Sequence, residues 1–292
     1  MVCRDESLLN DWHAVADMVV FPQQEFLETV LLGRRLRISL DADGQPIVVD
    51  QANDNQLHSK IVYGFIWCCP GQPLREIVAI PEAMEADRIT VSGGSFGVNV
   101  SGLRLVENFL DMGHFPFIHT GWLGEEPHTE VLPYKVQITD KNEVHATECF
   151  FYQPVASPTS NGGEMVEYEY KVMRPYIVSL YKTNPIYPDR MDHIALFIQP
   201  VSEERCIAHT YLCYIEEGMT HESLRWFMQL IFGQDKPILE NQLPKRLPLD
   251  PRAETPIRAD KVAIAYRRWL QEQNVTYGAI PAGITQSKRA EV

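Results

Sequence analysis

The segment Glu107-Asn108-Phe109-Leu110-Asp111-Met112-Gly113-His114-Phe115-Pro116-Phe117-Ile118-His119 decides how the rest of the chain is interpreted. It places one carboxylate and two imidazoles among apolar residues. Apolar positions 106, 109, 110 and 112 predict a mostly buried helix, on which Asp111 and His114 share a face. Pro116 does not suit a continuous helix. We therefore expect a kink at Phe115-Pro116 that brings His119 round to His114.

The spacing of these two histidines leaves two interpretations open. A buried histidine is most often hydrogen-bonded to backbone, and nine histidines in 292 residues make close pairs inevitable. Two imidazoles at a helix break also suit a metal site, which would need a third ligand from elsewhere. The segment lacks the HExxH order of zinc proteases.

Composition restricts the classes of protein that fit. With 45% hydrophobic and 10% aromatic residues, 292 residues can form one large or two ordinary folded domains. No apolar run approaches the roughly 18 residues of a membrane span, and the acidic N-terminus is unlike a signal peptide. We expect a cytoplasmic protein without a membrane partner. The net charge of −13 argues against a nucleic-acid partner. The six cysteines show no zinc or redox spacing, and we expect buried, reduced thiols.

The patterns divide the chain into three parts, residues 1–81, 82–277 and 278–292. The first is predicted to be a small all-β unit, in which polar residues 50–60 interrupt the strands and Asp43-Gly44 makes a hairpin turn. Its strands are expected at 10–15, 30–33, 36–40, 46–49 and 60–67.

Residues 82–277 predict an α+β domain, in which a curved antiparallel sheet wraps on long helices and encloses a pocket. Strands are expected at 89–99, 134–139, 144–152, 165–174, 177–182, 194–199 and 207–215, with loops at 124–130 and 154–164. Thr220 begins one helix. The final helix runs from about Ala259 to Gln273, with Val262, Ala265, Tyr266 and Trp269 on one face and Arg267-Arg268 on the other. Residues 278–292 are expected to be a loose tail.

Asp235 is the candidate for the missing third ligand. Gly233 is predicted to end one helix and Pro237 to lie in the first turn of the next. Asp235 is then either an N-cap or a carboxylate that projects into the pocket. Two histidines and a carboxylate with open positions are the ligand set of non-haem Fe(II) oxygenases.

Residues on the same helical face as Asp235 are candidates for substrate contact. Ile238, Leu239 and Gln242 lie three, four and seven positions beyond Asp235. Ile238 and Leu239 would form an apolar wall. Gln242 would offer an amide to a heteroatom of the substrate, although a solvated position is an equal alternative.

The segment at 107–119 resembles the mononuclear-iron motif of the Rieske-type non-haem iron oxygenases, with its acidic-Asn pair, bridging Asp and two His. Further similar stretches are Asp11-Trp-His-Ala-Val-Ala16, Tyr63-Gly-Phe-Ile-Trp67 with Gly71-Gln-Pro73, 233–245 and Ala265-Tyr-Arg-Arg-Trp-Leu270. The likeness covers roughly residues 10–277. Within the family it points to the bacterial methylxanthine N-demethylases, and among these to the short subunits that act on 7-methylxanthine in caffeine breakdown.

The resemblance implies a helix-grip, START-like catalytic domain preceded by a truncated Rieske-like β remnant. It implies that His114, His119 and Asp235 bind a mononuclear Fe(II), and that the catalytic residue Asp111 links this iron to an electron-donating cluster. Substrate contacts are expected from Gln242, Leu239, Ile238 and Asn108. The implied assembly is a homotrimer or part of a hetero-oligomer with other demethylase subunits.

The sequence departs from the family in one respect that determines its electron supply. A Rieske [2Fe–2S] cluster needs both a Cys-x-His and a Cys-x-x-His pair. No cysteine here has a histidine two positions on, so the single Cys-x-x-His, Cys206 with His209, lacks the second pair. We therefore expect the cluster in a partner, a Rieske-domain reductase fed by NAD(P)H. The resulting hypothesis is an O₂-dependent N-demethylase that hydroxylates a methylxanthine N-methyl group and releases formaldehyde. The alternative is a non-catalytic helix-grip subunit that binds a ligand or has a structural role in an oxygenase complex.

Overall fold

The computed structural model describes residues 1–23, 25–155, 162–184, 186–215 and 218–283. Its first sheet has six antiparallel strands in the order β1-β6-β5-β4-β3-β2. The strands are β1 His13–Asp17, β2 Leu27–Leu31, β3 Arg34–Leu40, β4 Pro46–Asp50, β5 Asn55–Val62 and β6 Phe65–Cys69. The predicted hairpin turn at Asp43-Gly44 is confirmed, since it joins the paired strands β3 and β4.

The prediction of a polar interruption at 50–60 is wrong. Strand β5 occupies most of it and pairs with both β4 and β6. Its side chains alternate between exposed and half-buried from Gln56 to Lys60, because only one face of this part of the sheet packs on other atoms. The single strand expected at 60–67 is also wrong. Tyr63 and Gly64 both have positive φ, of 55° and 76°, and form the two-residue turn of a hairpin.

The second sheet has seven antiparallel strands in the order β7-β13-β12-β11-β10-β9-β8. They are β7 Arg88–Val98, β8 Lys135–Ile138, β9 Val144–Gln153, β10 Glu164–Arg174, β11 Ile177–Thr183, β12 Met191–Ser202 and β13 Arg205–Ile215. All seven were predicted from alternation to within a few residues. Of the loop predicted at 154–164, residues 156–161 lie outside the described part of the chain.

The helices in the described residues are α1 Glu6–Leu9, α2 Gly102–Leu110, α3 Phe115–Ile118, α4 His221–Asn241 and α5 Lys261–Glu272. Thr220 caps α4, as predicted, and shares a capping box with Ser223. On α5, Val262, Tyr266 and Trp269 are buried as expected. Arg267 was predicted on the opposite face, with Arg268, but it is buried as well. It is buried because Glu107 and Glu254 both bind its guanidinium.

The prediction of a loose tail from residue 278 is wrong for its first residues. Strand β15, Ala279–Ile280, pairs in parallel with β14, Leu247–Pro248. The carbonyl of Gly278 accepts hydrogen bonds from the Leu247 amide and the Ser101 hydroxyl. Residues 284–292 of the predicted tail lie outside the described residues.

The second sheet is covered on both faces, and β12 shows this most clearly. Ala195 and Phe197 of β12 pack with Trp67 of the first sheet, and the ring centroids of Trp67 and Phe197 are 4.7 Å apart. Ile194 and Leu196 point to the opposite face, toward the helices. All four side chains are buried. A cavity lies between the second sheet and the helices, and because it is lined by His114, His119 and Asp235 it is called the main cavity.

The six cysteines are all buried and none forms a disulfide, as the sequence predicted. No helix in the described ranges is long and apolar enough to cross a membrane.

Candidate metal centre

Helix α2 ends earlier than the sequence predicted. Asp111 is its C-cap and has extended backbone, with φ −86° and ψ 125°. The helical conformation is interrupted at Asp111–Gly113, where the Gly113 amide donates to Asp111 Oδ1 at 2.8 Å. The expected kink at Phe115-Pro116 is wrong, because Pro116 lies in the first turn of α3, where a missing N–H costs nothing.

This break, rather than a shared helical face, brings Asp111 to His114. His114 immediately precedes α3, and its Nδ1 lies 2.9 Å from Asp111 Oδ2. A carboxylate only accepts hydrogen bonds, so Nδ1 carries the proton. In the neutral imidazole, the form that binds a metal, the lone pair of His114 is then on Nε2.

His119 ends α3 and is held from the other side of the cavity by α4. Its Nδ1 lies 2.8 Å from the Gln234 side-chain oxygen Oε1. Nδ1 therefore donates, and the lone pair of this imidazole is again on Nε2. Only 1% of the surface of His119 is exposed, so water does not compete for this arrangement.

Asp235 is neither an N-cap nor near a helix end. Helix α4 continues from His221 to Asn241 with Pro237 inside it, so the predicted helix boundary at Gly233–Pro237 is wrong. Packing of α4 against β7 and α2 outweighs the local preference of proline for a helix start. Asp235 thus projects from within a continuous helix, six residues before its end.

Three lone-pair-bearing atoms meet at this point. Asp235 Oδ1 is 3.3 Å from His114 Nε2 and 3.1 Å from His119 Nε2, and the two Nε2 atoms are 3.2 Å apart. Ligand atoms bound about 2.0–2.2 Å from one ion lie roughly 3.0–3.5 Å from one another. Asp235 Oδ1 is buried and has no hydrogen-bond partner among the described residues. The donor set therefore fits a divalent metal ion.

The electrostatics of the centre agree with this demand for positive charge. Burial lowers the pKa of His114, but the neighbouring carboxylates of Asp111 and Asp235 outweigh burial and raise it to about 9. Burial raises the pKa of Asp235, and the two imidazoles outweigh this and hold it below its usual value. Without a metal, a proton is the cation that the centre retains.

The three residues lie at one side of an apolar cavity. It contains about 770 Å³ of space free of atoms, its open mouth included. Its walls come from α2, α3 and α4 and from the concave face of the second sheet. They include Asn108, Phe115, Leu180, Ile194, Phe227 and Phe232.

The predicted substrate contacts divide between two sides of the centre. Asn108 lines the main cavity. Ile238, Leu239 and Gln242 do not. They line a shallower depression on the side of Asp111 and Glu107. The prediction took Asp235 as the start of a helix, whereas the end of α4 leads away from the cavity.

Three polar residues of the site escaped the sequence analysis. Gln234 precedes Asp235 and had no visible signal of its own. Tyr170 and Lys182 lie in the neighbouring strands β10 and β11. The alternation of polar and apolar residues in these strands did not show which face meets the cavity. A lysine at an inward position of β11 was a signal that could have been used.

A carboxylate and two imidazoles at a cavity between sheet and helices define the class of non-haem iron oxygenases. Residues 98–274 match the family described as "Vanillate O-demethylase oxygenase C-terminal domain". The chain belongs to this family, and so to the Rieske-type non-haem iron oxygenases, enzymes that use iron and O₂.

Among its relatives is the "Probable methylxanthine N7-demethylase NdmC" of Pseudomonas sp. (strain TJI-51). It is 45% identical over 279 residues, which cover 95% of this chain and 99% of the relative. The fold is similar to that of NdmA of Pseudomonas putida CBB5 with caffeine, at a TM-score of 0.73 and 20% identity over 92% of each chain. Dicamba monooxygenase bound to dicamba shares the fold at a TM-score of 0.70 and 15% identity, over 91% of this chain and 97% of the other.

Proposed function

We propose that the chain is the catalytic subunit of an O₂-dependent N-demethylase whose substrate is a methylxanthine, with 7-methylxanthine as the first candidate. The overall reaction converts the N-methyl compound, O₂, NAD(P)H and a proton to the N–H compound, formaldehyde, water and NAD(P)⁺. The methyl carbon is oxidised, and one oxygen atom enters it while the other leaves as water.

The observation that carries this proposal is the meeting of His114 Nε2, His119 Nε2 and Asp235 Oδ1, each within 3.3 Å of the other two. We assign these atoms as the ligands of a mononuclear Fe(II), which when bound supplies activation of O₂. The 45% identity to a probable methylxanthine N7-demethylase over almost its whole length supports the substrate class.

The protein's own contribution is to orient the ligands and to keep water out. Asp111 and Gln234 each accept the Nδ1 proton of one imidazole and so hold its Nε2 toward the ion. The aromatic and aliphatic walls of the cavity exclude water and position a flat ring with one methyl group toward the centre.

Electrons enter from outside the chain in this proposal. Asp111 is 31% exposed at the edge of the depression lined by Glu107 and Gln242, and we assign it the role of linking the iron to the donor. The donor is a partner reductase that carries a Rieske cluster and receives electrons from NAD(P)H. Residues 1–81 are proposed to be a Rieske-like remnant without cluster ligands, and 82–277 a helix-grip catalytic domain. Assembly as a homotrimer, or with other demethylase subunits, belongs to the same proposal.

Iron analysis and product analysis test the proposal together. Purified wild-type chain should hold one iron, and His114→Ala should lose it. With 7-methylxanthine, NADH and a Rieske reductase, wild type should release formaldehyde, and without the reductase it should not. Turnover with NADH alone would contradict the partner role. Absence of iron from both wild type and His114→Ala would favour a subunit that only binds a ligand.

A further inference from the structure

The concave face of the second sheet carries a row of polar side chains within an otherwise apolar cavity. Tyr168 of β10 lies directly opposite Lys182 of β11, and Lys182 lies opposite Asp192 of β12. Tyr168 and Lys182 line the main cavity, and so does Tyr170, which is two positions along β10. The ring of Phe115 contacts both His119 and Tyr168, with centroid distances of 5.9 and 6.0 Å, and so connects this row to the metal centre.

Lys182 brings a cation to this row. Only 2% of its surface is exposed. Burial lowers its pKa to about 8, against the opposing effect of the Asp192 charge. The Asp192 carboxylate is fixed in turn by the Ile215 amide and the Asn184 side chain. The positive charge of Lys182 is therefore part of the buried wall of the cavity, not of an exposed side chain.

Tyr170 brings a hydroxyl that no described residue satisfies. The side chain is 1% exposed, and its oxygen has no hydrogen-bond partner. Burial raises the pKa of this phenol well above its usual value, so the hydroxyl stays a neutral donor. A buried hydroxyl without a hydrogen-bond partner reduces stability. Such a group is expected where a bound ligand supplies the missing partner.

The groups that surround these two residues are mostly hydrocarbon. Leu180 and Ile194 lie opposite each other on β11 and β12, and Leu196 follows on β12. Such walls bind the faces of a flat ring but do not distinguish one edge from another. Orientation within the cavity must therefore come from the polar groups.

We propose that Tyr170 and Lys182 bind the imide edge of the substrate, a ring carbonyl flanked by an unsubstituted ring N–H. The inference rests on the proposed N-demethylase function and names the part of the substrate that this chain recognises. The Tyr170 hydroxyl donates to the carbonyl oxygen. The imide N–H is weakly acidic because carbonyls flank it, and on binding it releases its proton to solvent. The Lys182 ammonium then donates to the resulting anionic edge. With this edge held at the sheet, a methyl group elsewhere on the ring is turned toward His114, His119 and Asp235.

This arrangement predicts discrimination by methylation state. 7-Methylxanthine has free ring N–H groups next to its carbonyls, whereas caffeine carries a methyl on every such nitrogen. A site built to bind a polar edge rejects analogues that lack it more strongly than an apolar pocket rejects an added methyl. Wild type should therefore bind 7-methylxanthine more tightly than caffeine.

Anaerobic calorimetric titration of the iron-loaded chain, without reductase, tests the inference. Tyr170→Phe removes one oxygen atom, and it should weaken 7-methylxanthine binding roughly tenfold while the Tm stays equal or rises. Lys182→Met should weaken 7-methylxanthine binding about a hundredfold and caffeine binding about threefold or less, so that the preference largely disappears. Since Lys182→Met leaves Asp192 as a buried carboxylate without its cation, Lys182→Met/Asp192→Asn is measured beside it.

Tyr266→Phe is the matched control. Its hydroxyl is also buried, but it donates to the Pro175 carbonyl at 2.8 Å and does not line the cavity. This variant should lower the Tm and leave binding unchanged, the reverse of Tyr170→Phe. If wild type binds 7-methylxanthine but Tyr170→Phe and the lysine variants bind both ligands as wild type does, the inference is overturned and the proposed function stands. If wild type binds neither ligand, both fail.

Discussion

Replacement of Gln234 by leucine should weaken metal binding, although Gln234 is not a ligand. In wild type its Oε1 accepts the Nδ1 proton of His119 at 2.8 Å. Without that acceptor, the proton is better placed on Nε2, where it can donate to Asp235 Oδ1 at 3.1 Å. The metal would then have to displace a hydrogen bond that wild type does not contain. Loss of such an orienting partner costs about 10–100-fold in metal affinity, or roughly 1.4–2.7 kcal/mol.

Anaerobic Fe(II) titration against a competing chelator measures this change. Gln234→Glu keeps an acceptor at the same place, and its Kd should equal or fall below that of wild type. Gln229→Leu is the matched control, since Gln229 is exposed on the same helix and outside the cavity lining. An unchanged Kd in Gln234→Leu would refute the argument that the two Nδ1 bonds set the tautomers.

Three further predictions concern the surroundings of the centre. Asp111→Ala should lower formaldehyde release with a Rieske reductase by about 10–100-fold, and Asp111→Asn by less, because Asn retains an oxygen that can accept from His114; equal losses would contradict this. Arg267→Met should reduce the free energy of unfolding in urea by about 3 kcal/mol, because it leaves Glu107 buried with a weakened pairing. The exposed neighbour Arg268→Met should change it by less than about 0.5 kcal/mol. Burial lowers the pKa of His209 to about 4 from about 6.5 in the unfolded chain. Between pH 4 and 6.5 the unfolded chain then binds more protons than the folded one. As the pH falls from 6.5 to 4, this residue should therefore reduce the free energy of unfolding by up to about 1.4 kcal/mol per pH unit. Urea titrations across this range measure the change.

The strands of the second sheet could be predicted from sequence because their alternation is regular and long. Strand β5 could not, since Asn55-Gln56 and His58-Ser59-Lys60 read as a polar break. A strand with one solvated face and polar side chains on part of the other carries little periodic signal. The Tyr63-Gly64 turn was missed for a related reason. The apolar residues on both sides concealed a hairpin that only the positive φ values reveal.

The sequence named the three residues that meet at the centre, Asp235 only as one of two alternatives, but it did not give their geometry. His114, His119 and Asp235 were singled out from the chemistry of their side chains, whereas the break at Asp111–Gly113 was placed at Phe115-Pro116. Proline is the strongest local signal for a helix break, yet at Pro116 it fits the first turn of α3. The actual break uses Asp111 as a cap, and the Gly113 amide satisfies its carboxylate.

The failure at Pro237 shows why the centre requires a continuous helix. Adjacent residues of α4, Gln234 and Asp235, contact opposite nitrogens of the same imidazole, Nδ1 and Nε2 of His119. Their spacing is fixed only while both belong to one regular helix. A break at Gly233–Pro237, which the sequence favoured, would let the two side chains move independently. Neither nitrogen of His119 would then have a fixed partner, and the tautomer of His119 would no longer be determined. The chain instead keeps α4 intact through a proline that cannot donate to the Gly233 carbonyl. A locally unfavourable residue in a helix that orients a candidate ligand is the kind of conflict expected at a functional site.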